Sequence, residues 1–196
     1  MPIPIANFGA VMLLDELHIQ CRLVQRASVQ LEDGADHWVK LAHGQDFDRK
    51  FPPLDILAWC TVCLAGMAAI RRLLVDGEPK PLAKRRRSAL QRLLDNPPLP
   101  NLASVTVRNS WEHLDDRLDT IIPKMTSGSI SHLHVAAAAP GAETTALRRF
   151  DPLTLTIYFA DQAIALRPAI AEVGALQDCL DEAMQKLQTE IVKPWK

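Results

Sequence analysis

Aromatic residues are scarce in this chain. They make up 5% of it, with a single tyrosine. The densest basic cluster, Lys84 to Arg87, has none interleaved, so single-strand base stacking is not indicated there. Glycine is also sparse, at 8 of 196 residues. No Walker, dinucleotide-binding or nucleophile-elbow pattern can be assembled from it. An excess of either charge is missing too. Lys+Arg number 22 against 23 Asp+Glu, a net charge of −1. A bulk polycation is excluded, so any anion site has to be a local patch. The four cysteines, Cys21, Cys60, Cys63 and Cys179, are irregularly spaced in a chain of 196 residues, which does not read as a disulfide scaffold. Cys60 and Cys63 form a CxxC, but the segment around them is apolar and no second CxxC follows. They read as two small buried residues on one helix face, and no metal or cofactor is expected.

The chain starts Met1-Pro2-Ile3-Pro4-Ile5, without the basic stretch that opens a signal peptide. The longest uncharged apolar run is 15 residues, Ile56 to Ile70, closed by Asp55 and by Arg71-Arg72. That falls short of the roughly 17–25 residues a membrane span needs. A core helix, no membrane association and a cytoplasmic protein are expected. The length and the 48% hydrophobic content fit one globular domain over residues 1–196, at about 100–200 residues per domain.

Periodicity supplies the elements. Val11, Leu14, Leu17, Cys21 and Val24 recur at helical steps, predicting a helix over 8–27. Residues 28–52 are less regular, with a short helix possible around Trp38 and Leu41. A second helix, apolar nearly all round, is predicted from Leu54 to Val75 and ended by Asp76-Gly77-Glu78-Pro79. A third fits Leu82–Leu94. The run Asn96-Pro97-Pro98-Leu99-Pro100 breaks the chain. A fourth helix is predicted from Asn101, as N-cap, to about Ile122. The pattern changes over about residues 130–166. Possible strands are His132–Ala139, Thr144–Phe150, the alternating Leu153–Phe159, and Ala163–Leu166. A small antiparallel sheet, a hairpin or three strands, is therefore predicted before a last helix over Pro168–Val192. The fold class is mainly α, a bundle of about five helices with a β insertion.

The fourth helix carries the informative segment. Val107, Trp111, Leu114, Leu118 and Ile121 step by 4, 3, 4 and 3, forming one core-facing stripe. The opposite face holds Asn109, Glu112, His113, Asp116 and Thr120. At about 100° per residue, Arg108 and His113 flank this polar face with Asn109 between them. An Arg-Asn pair followed by three residues and a His, late in a helical chain, resembles the signature of the HEPN superfamily (higher eukaryotes and prokaryotes nucleotide-binding). The wider phrase Arg108-Asn109-x-x-Glu112-His113-x-Asp115-x-Arg117 is similar to a group of uncharacterised bacterial HEPN-like proteins. The resemblance spans about residues 54–122.

The resemblance implies a HEPN-like bundle and a homodimer in which two motif helices meet. It further implies a metal-independent endoribonuclease of defence or toxin type with a composite Arg/His site. Arg108, Asn109 and His113 would be catalytic. Position 115 is Asp where one toxin branch carries a tyrosine used for nucleotidylation, so that partnership is not implied. The chemistry is consistent: cleaving RNA without metal needs an acid/base near neutrality, which His supplies, and a guanidinium on the phosphorane.

Two alternatives stand beside the enzyme. One is a non-catalytic HEPN-like dimeric module binding nucleotide, RNA or a protein partner. The other is a helical scaffold whose basic helix meets an acidic partner. Lys84, Arg85, Arg86 and Arg87 are the densest basic cluster, within a stretch from Arg71 to Arg92 of eight basic and two acidic residues. They are candidate RNA-phosphate contacts, or else a solvated helix start. His132 and His134 alternate on a possible strand with no carboxylate or thiol nearby in sequence, and read as non-metal. Arg148-Arg149 read as surface residues beside the hairpin.

Overall fold

The structure is a computed structural model, and it describes residues 5–45, 51–75, 80–103, 131–135, 146–159 and 162–191. Among these are five helices and four strands: α1 (Ile5–Ala42), α2 (Pro53–Leu74), α3 (Pro81–Leu93), α4 (Pro100–Ala103), β1 (Ser131–Val135), β2 (Ala146–Asp151), β3 (Thr156–Phe159), β4 (Gln162–Ala165) and α5 (Leu166–Ile191). The mainly helical class with a small late sheet is as the sequence predicts.

Proline marks the helix starts. Pro53 and Pro81 each open a helix, Pro100 is the first residue of α4, and Pro168 lies in the first turn of α5. The missing N–H costs nothing there, and the fixed φ suits the first turn. α1 departs from expectation. It is one helix of 38 residues, not a helix over 8–27 followed by irregular chain. Its buried stripe runs on through Leu31 and Ala35, and Gly34, read as punctuation, lies inside it. The stop comes at Gly44, with φ +67°. There the Gln45 N–H donates to Lys40 O (2.9 Å) and the Gly44 N–H to Leu41 O (3.1 Å), a left-handed cap that satisfies the last carbonyls.

α2 has 22 residues, and by length and composition it is apolar enough to cross a membrane. The 15-residue run therefore understates the helix. Its buried side chains, Ile56, Cys60, Cys63, Leu64, Met67 and Ile70, belong to one cluster with Leu14, Leu17, Cys21 and Val24 of α1. α2 is thus the core helix of this bundle. Gly66 sits against α1, where an added Cβ would lie 2.7 Å from Val24 Cγ2 and 3.3 Å from Gln20 O. The third wall is α5, through Val173, Leu176 and Leu180.

The sheet has the order β1-β2-β3-β4. β2–β3 and β3–β4 are antiparallel, as expected. β1 and β2 run parallel, with Leu133 opposite Arg148 and Val135 opposite Phe150. The sheet is therefore mixed, a correction to the all-antiparallel reading; alternation fixes which face a residue takes but not strand direction. Val135, Phe150, Ile157, Phe159 and Ile164 turn into the helical core. The third strand begins at Thr156, not at Leu153. Residues 152–155 form a turn held by Asp151, whose Oδ1 accepts the N–H groups of Leu153 (2.9 Å) and Thr154 (3.4 Å). Leu153 is exposed as a result.

Candidate functional site

The sequence places the Arg108, Asn109 and His113 motif on a helix starting near residue 101. Of the residues predicted for that helix, those described are 101–103, in the four-residue helix α4 (Pro100–Ala103). Arg108, Asn109 and His113 lie outside the described residues, as does the rest of the fourth predicted helix.

The start of α4 is held by a carboxylate from elsewhere in the chain. Glu172 of α5 accepts the Asn101 backbone N–H (2.8 Å) and side-chain Nδ2–H (2.5 Å) at Oε1, and the Leu102 N–H (2.9 Å) at Oε2. First-turn N–H groups have no partner within their own helix, and a negative charge is favoured there. Asn101 is therefore not the N-cap the sequence predicts. The helix begins one residue earlier, at Pro100, and the cap comes from 71 residues away. Leu102 is fully buried. α5 is in turn tied to α1. Gln177 Nε2 lies 2.9 Å from His18 Nδ1 and donates to Asp181 Oδ1 (3.1 Å), with His18 Nδ1 3.6 Å from that carboxylate. α4 is thus tied to α5 through Glu172, and α5 to α1 through Gln177.

The basic cluster is on α3. Lys84, Arg85 and Arg86 are exposed, and Arg87 is half-buried. Arg87 Nη1 donates to Val75 O (3.2 Å), and Gln91 Nε2 donates to Leu74 O (2.7 Å). These two side chains close the C-terminal end of α2, where a cation also complements the helix dipole. Arg87 therefore has a structural task, while Lys84, Arg85 and Arg86 face solvent. Arg72, exposed in the last turn of α2, and the exposed Lys80 extend the positive corner. Such a corner can contact a phosphate backbone without reading its sequence.

Two adjoining cavities, of about 260 and 410 Å³, share Val39, Pro152 and Leu153. They lie between the C-terminal half of α1 and the β2–β3 turn. Trp38, Leu41 and Val135 give the first an apolar wall, and Glu32, Asp36 and Arg167 give the second a charged one. No short-range pattern announces this groove, because its walls come from segments about 110 residues apart.

Across the sheet, His134 of β1 is in register with Arg149 of β2, which is in register with Tyr158 of β3. The Arg149 guanidinium stacks 3.8 Å from the centre of the Tyr158 ring, a cation–π contact. Arg149 is half-buried in this stack and is not the plain surface residue the sequence reading had. Burial lowers the pKa of the neighbouring Arg148 from its ordinary value. The described residues contain no group of three or more His, Cys, Asp or Glu placed to hold a metal ion. Cys60 and Cys63 are fully buried free thiols. Burial pushes Cys63 up to about 12 and Cys60 well above its usual range. Thiols held protonated in this way are neither nucleophiles nor ready metal ligands.

A comparison of the chain with protein-family models, with curated proteins and with solved structures finds no match.

Proposed function

We propose that the chain is a metal-independent endoribonuclease of HEPN type, acting as a homodimer with Arg108, Asn109 and His113 at a composite site. The observation that carries this reading is the Arg-Asn-x3-His spacing, late in a mainly helical chain. In the proposed reaction a histidine takes the proton of an RNA 2′-hydroxyl as its oxygen attacks phosphorus. The bond from phosphorus to the 5′-oxygen breaks, and the partner chain's histidine returns a proton to that oxygen. Arg108 neutralises the phosphorane, and Asn109 orients the scissile phosphate or the imidazole. The products are a 2′,3′-cyclic phosphate and a 5′-hydroxyl. Lys84, Arg85 and Arg86 supply backbone contacts outside the cut site.

The test is a mixed RNA pool incubated in EDTA with wild type, His113→Ala and Arg108→Ala, each first checked for its mass in solution. Cleavage to 2′,3′-cyclic ends by wild type is expected, with losses of about 10²-fold or more in each variant, the scale of an acid/base contribution. A folded wild-type dimer that leaves the pool intact rejects the enzyme.

A second reading, a non-catalytic dimeric module, is favoured by one observation. Glu112, Asp115, Asp116 and Asp119 crowd the sequence around His113, and negative charge there repels phosphate. Binding of RNA or nucleotide without cleavage supports the module, and the helical scaffold is left if neither is bound.

A further inference from the structure

We propose that α1 pairs with α1 of a second copy of this chain, antiparallel, about a two-fold axis near Ile19. At 1.5 Å per residue its 38 residues make a rod about 57 Å long. One side of this rod is spent on the core through Leu14, Leu17, Cys21 and Val24. The other side carries large apolar residues in the open: Met12 is 54% exposed, Ile19 51%, Leu23 41% and Val29 52%. A single exposed apolar side chain needs no explanation. Met12, Ile19 and Leu23 differ from that, because they step by 7 and 4. At about 100° per residue they fall within a 40° arc, the seam spacing of paired helices.

The charges on this face say what covers it. Asp15 and Glu16 lie before Ile19, and Arg22 and Arg26 lie after it, all exposed. Between Gly9 and Cys21 there is no Lys or Arg, and between Arg22 and Leu31 there is no Asp or Glu. Such a face is complementary to itself when turned end for end. In an antiparallel pair centred on Ile19, the acidic turn of each chain meets the basic turn of the other. Met12 then lies within one turn, about 4.5 Å along the axis, of the level of Leu23 of the partner subunit, and Ile19 meets its own copy. A parallel pair would set like charges against each other at both ends. Exposed ion pairs add little affinity, so the apolar seam supplies the binding and the charges select the orientation. One patch meeting itself is the isologous contact of a two-fold dimer. The pairing needs no assumption about RNA.

The test uses the whole chain without RNA, followed by light scattering and sedimentation over a range of concentrations. Wild type is expected to dimerise. Ile19→Asp, at a half-exposed position outside the core, is expected to keep its circular dichroism and cooperative unfolding and to sediment as a monomer, with a melting temperature that no longer depends on protein concentration. Two charge variants give the decisive result. One carries Asp15→Arg and Glu16→Arg, the other Arg22→Glu and Arg26→Glu. Each alone is expected to dimerise at least about tenfold more weakly, and a mixture of the two is expected to form the heterodimer. A monomeric wild type, an Ile19→Asp variant that remains dimeric, or a mixture that fails to pair overturns the proposal. A dimer built this way that leaves RNA intact rejects the ribonuclease but not the pairing. Cleavage by a dimer indifferent to Ile19→Asp rejects the pairing but not the ribonuclease.

Discussion

Glu172 is the residue on which the placement of α4 turns. One carboxylate satisfies two first-turn N–H groups and the Asn101 side chain. Glu172→Ala leaves those donors without their partner and should cost about 1–3 kcal/mol in urea unfolding. Glu172→Gln keeps the acceptor oxygen but loses the charge, and should cost less. A loss in Glu172→Ala no larger than in Glu172→Gln would reduce the cap to ordinary packing. Leu155 shows a different balance. Its φ of +50° is a left-handed conformation that costs about 1–2 kcal/mol for a residue with a Cβ. Its side chain is 3% exposed, and burying a leucine returns about 1.5–3 kcal/mol. The Leu166 N–H also donates to its carbonyl at 2.9 Å, tying the turn to the start of α5. Burial therefore outweighs strain, which is why a leucine holds a position that glycine or asparagine usually fills.

At the scale of elements, close helix approach and helix propensity compete, and two glycines separate them. At Gly66 of α2 an added methyl would meet Val24, a branched side chain with little freedom, and the Gln20 carbonyl. Gly66→Ala should destabilise by about 1–3 kcal/mol through overpacking, more than the roughly 1 kcal/mol of helix propensity it gains. At Gly174 of α5 nothing lies within 4 Å of the added Cβ. Gly174→Ala should stabilise by about 0.5–1 kcal/mol. Denaturant midpoints that move the same way in both variants would contradict this account of the α1–α2 contact. The starts of α2 and α3 were legible to within a residue, and the break at Asn96-Pro97-Pro98 likewise, because prolines act on their own few residues. The continuity of α1 through residues 28–42 was less so. Gly34 reads as a break until the neighbouring Ile56 and Phe51 side chains are seen close beside it.

At the scale of the whole molecule, near-neutrality hides segregation. The net charge is −1, yet positive residues gather at the α2–α3 corner, and on α1 the exposed acidic pair Asp15 and Glu16 is followed by the exposed basic pair Arg22 and Arg26. The core imposes a pH limit of its own. Burial pushes Cys21, helped by Asp181, and Cys63 from the ordinary 9.0 up to about 12. Below pH 9 the thiols are protonated in both folded and unfolded chains, and their burial is undisturbed. Between about 9 and 12 the unfolded chain releases protons that the folded chain keeps. Stability therefore falls as pH rises through that window. Urea midpoints should drop from pH 8 to pH 10.5, with a shallower slope in Cys63→Ala. An unchanged slope would remove the thiols as the cause. At neutral pH a thiol reagent should modify Cys179, which is partly exposed, and leave Cys21, Cys60 and Cys63 until unfolding.

The sequence by itself determined the helical class, the late position of the sheet, the approximate starts of α2 and α3 and the Arg108, Asn109 and His113 spacing. Each of these is written in side-chain periodicity or in the chemistry of adjacent residues. Tertiary structure alone decided the rest that is described. It set the parallel pairing of β1 with β2, the cap from Glu172 on α4, the duty of Arg87 at the end of α2 and the exposure of Met12, Ile19 and Leu23. The physical reason is range. Periodicity says that a helix has an apolar face and a sheet has two sides. Which neighbour covers a face, and which distant carboxylate satisfies an unpaired N–H, depends on contacts between residues tens of positions apart, and no local pattern encodes those.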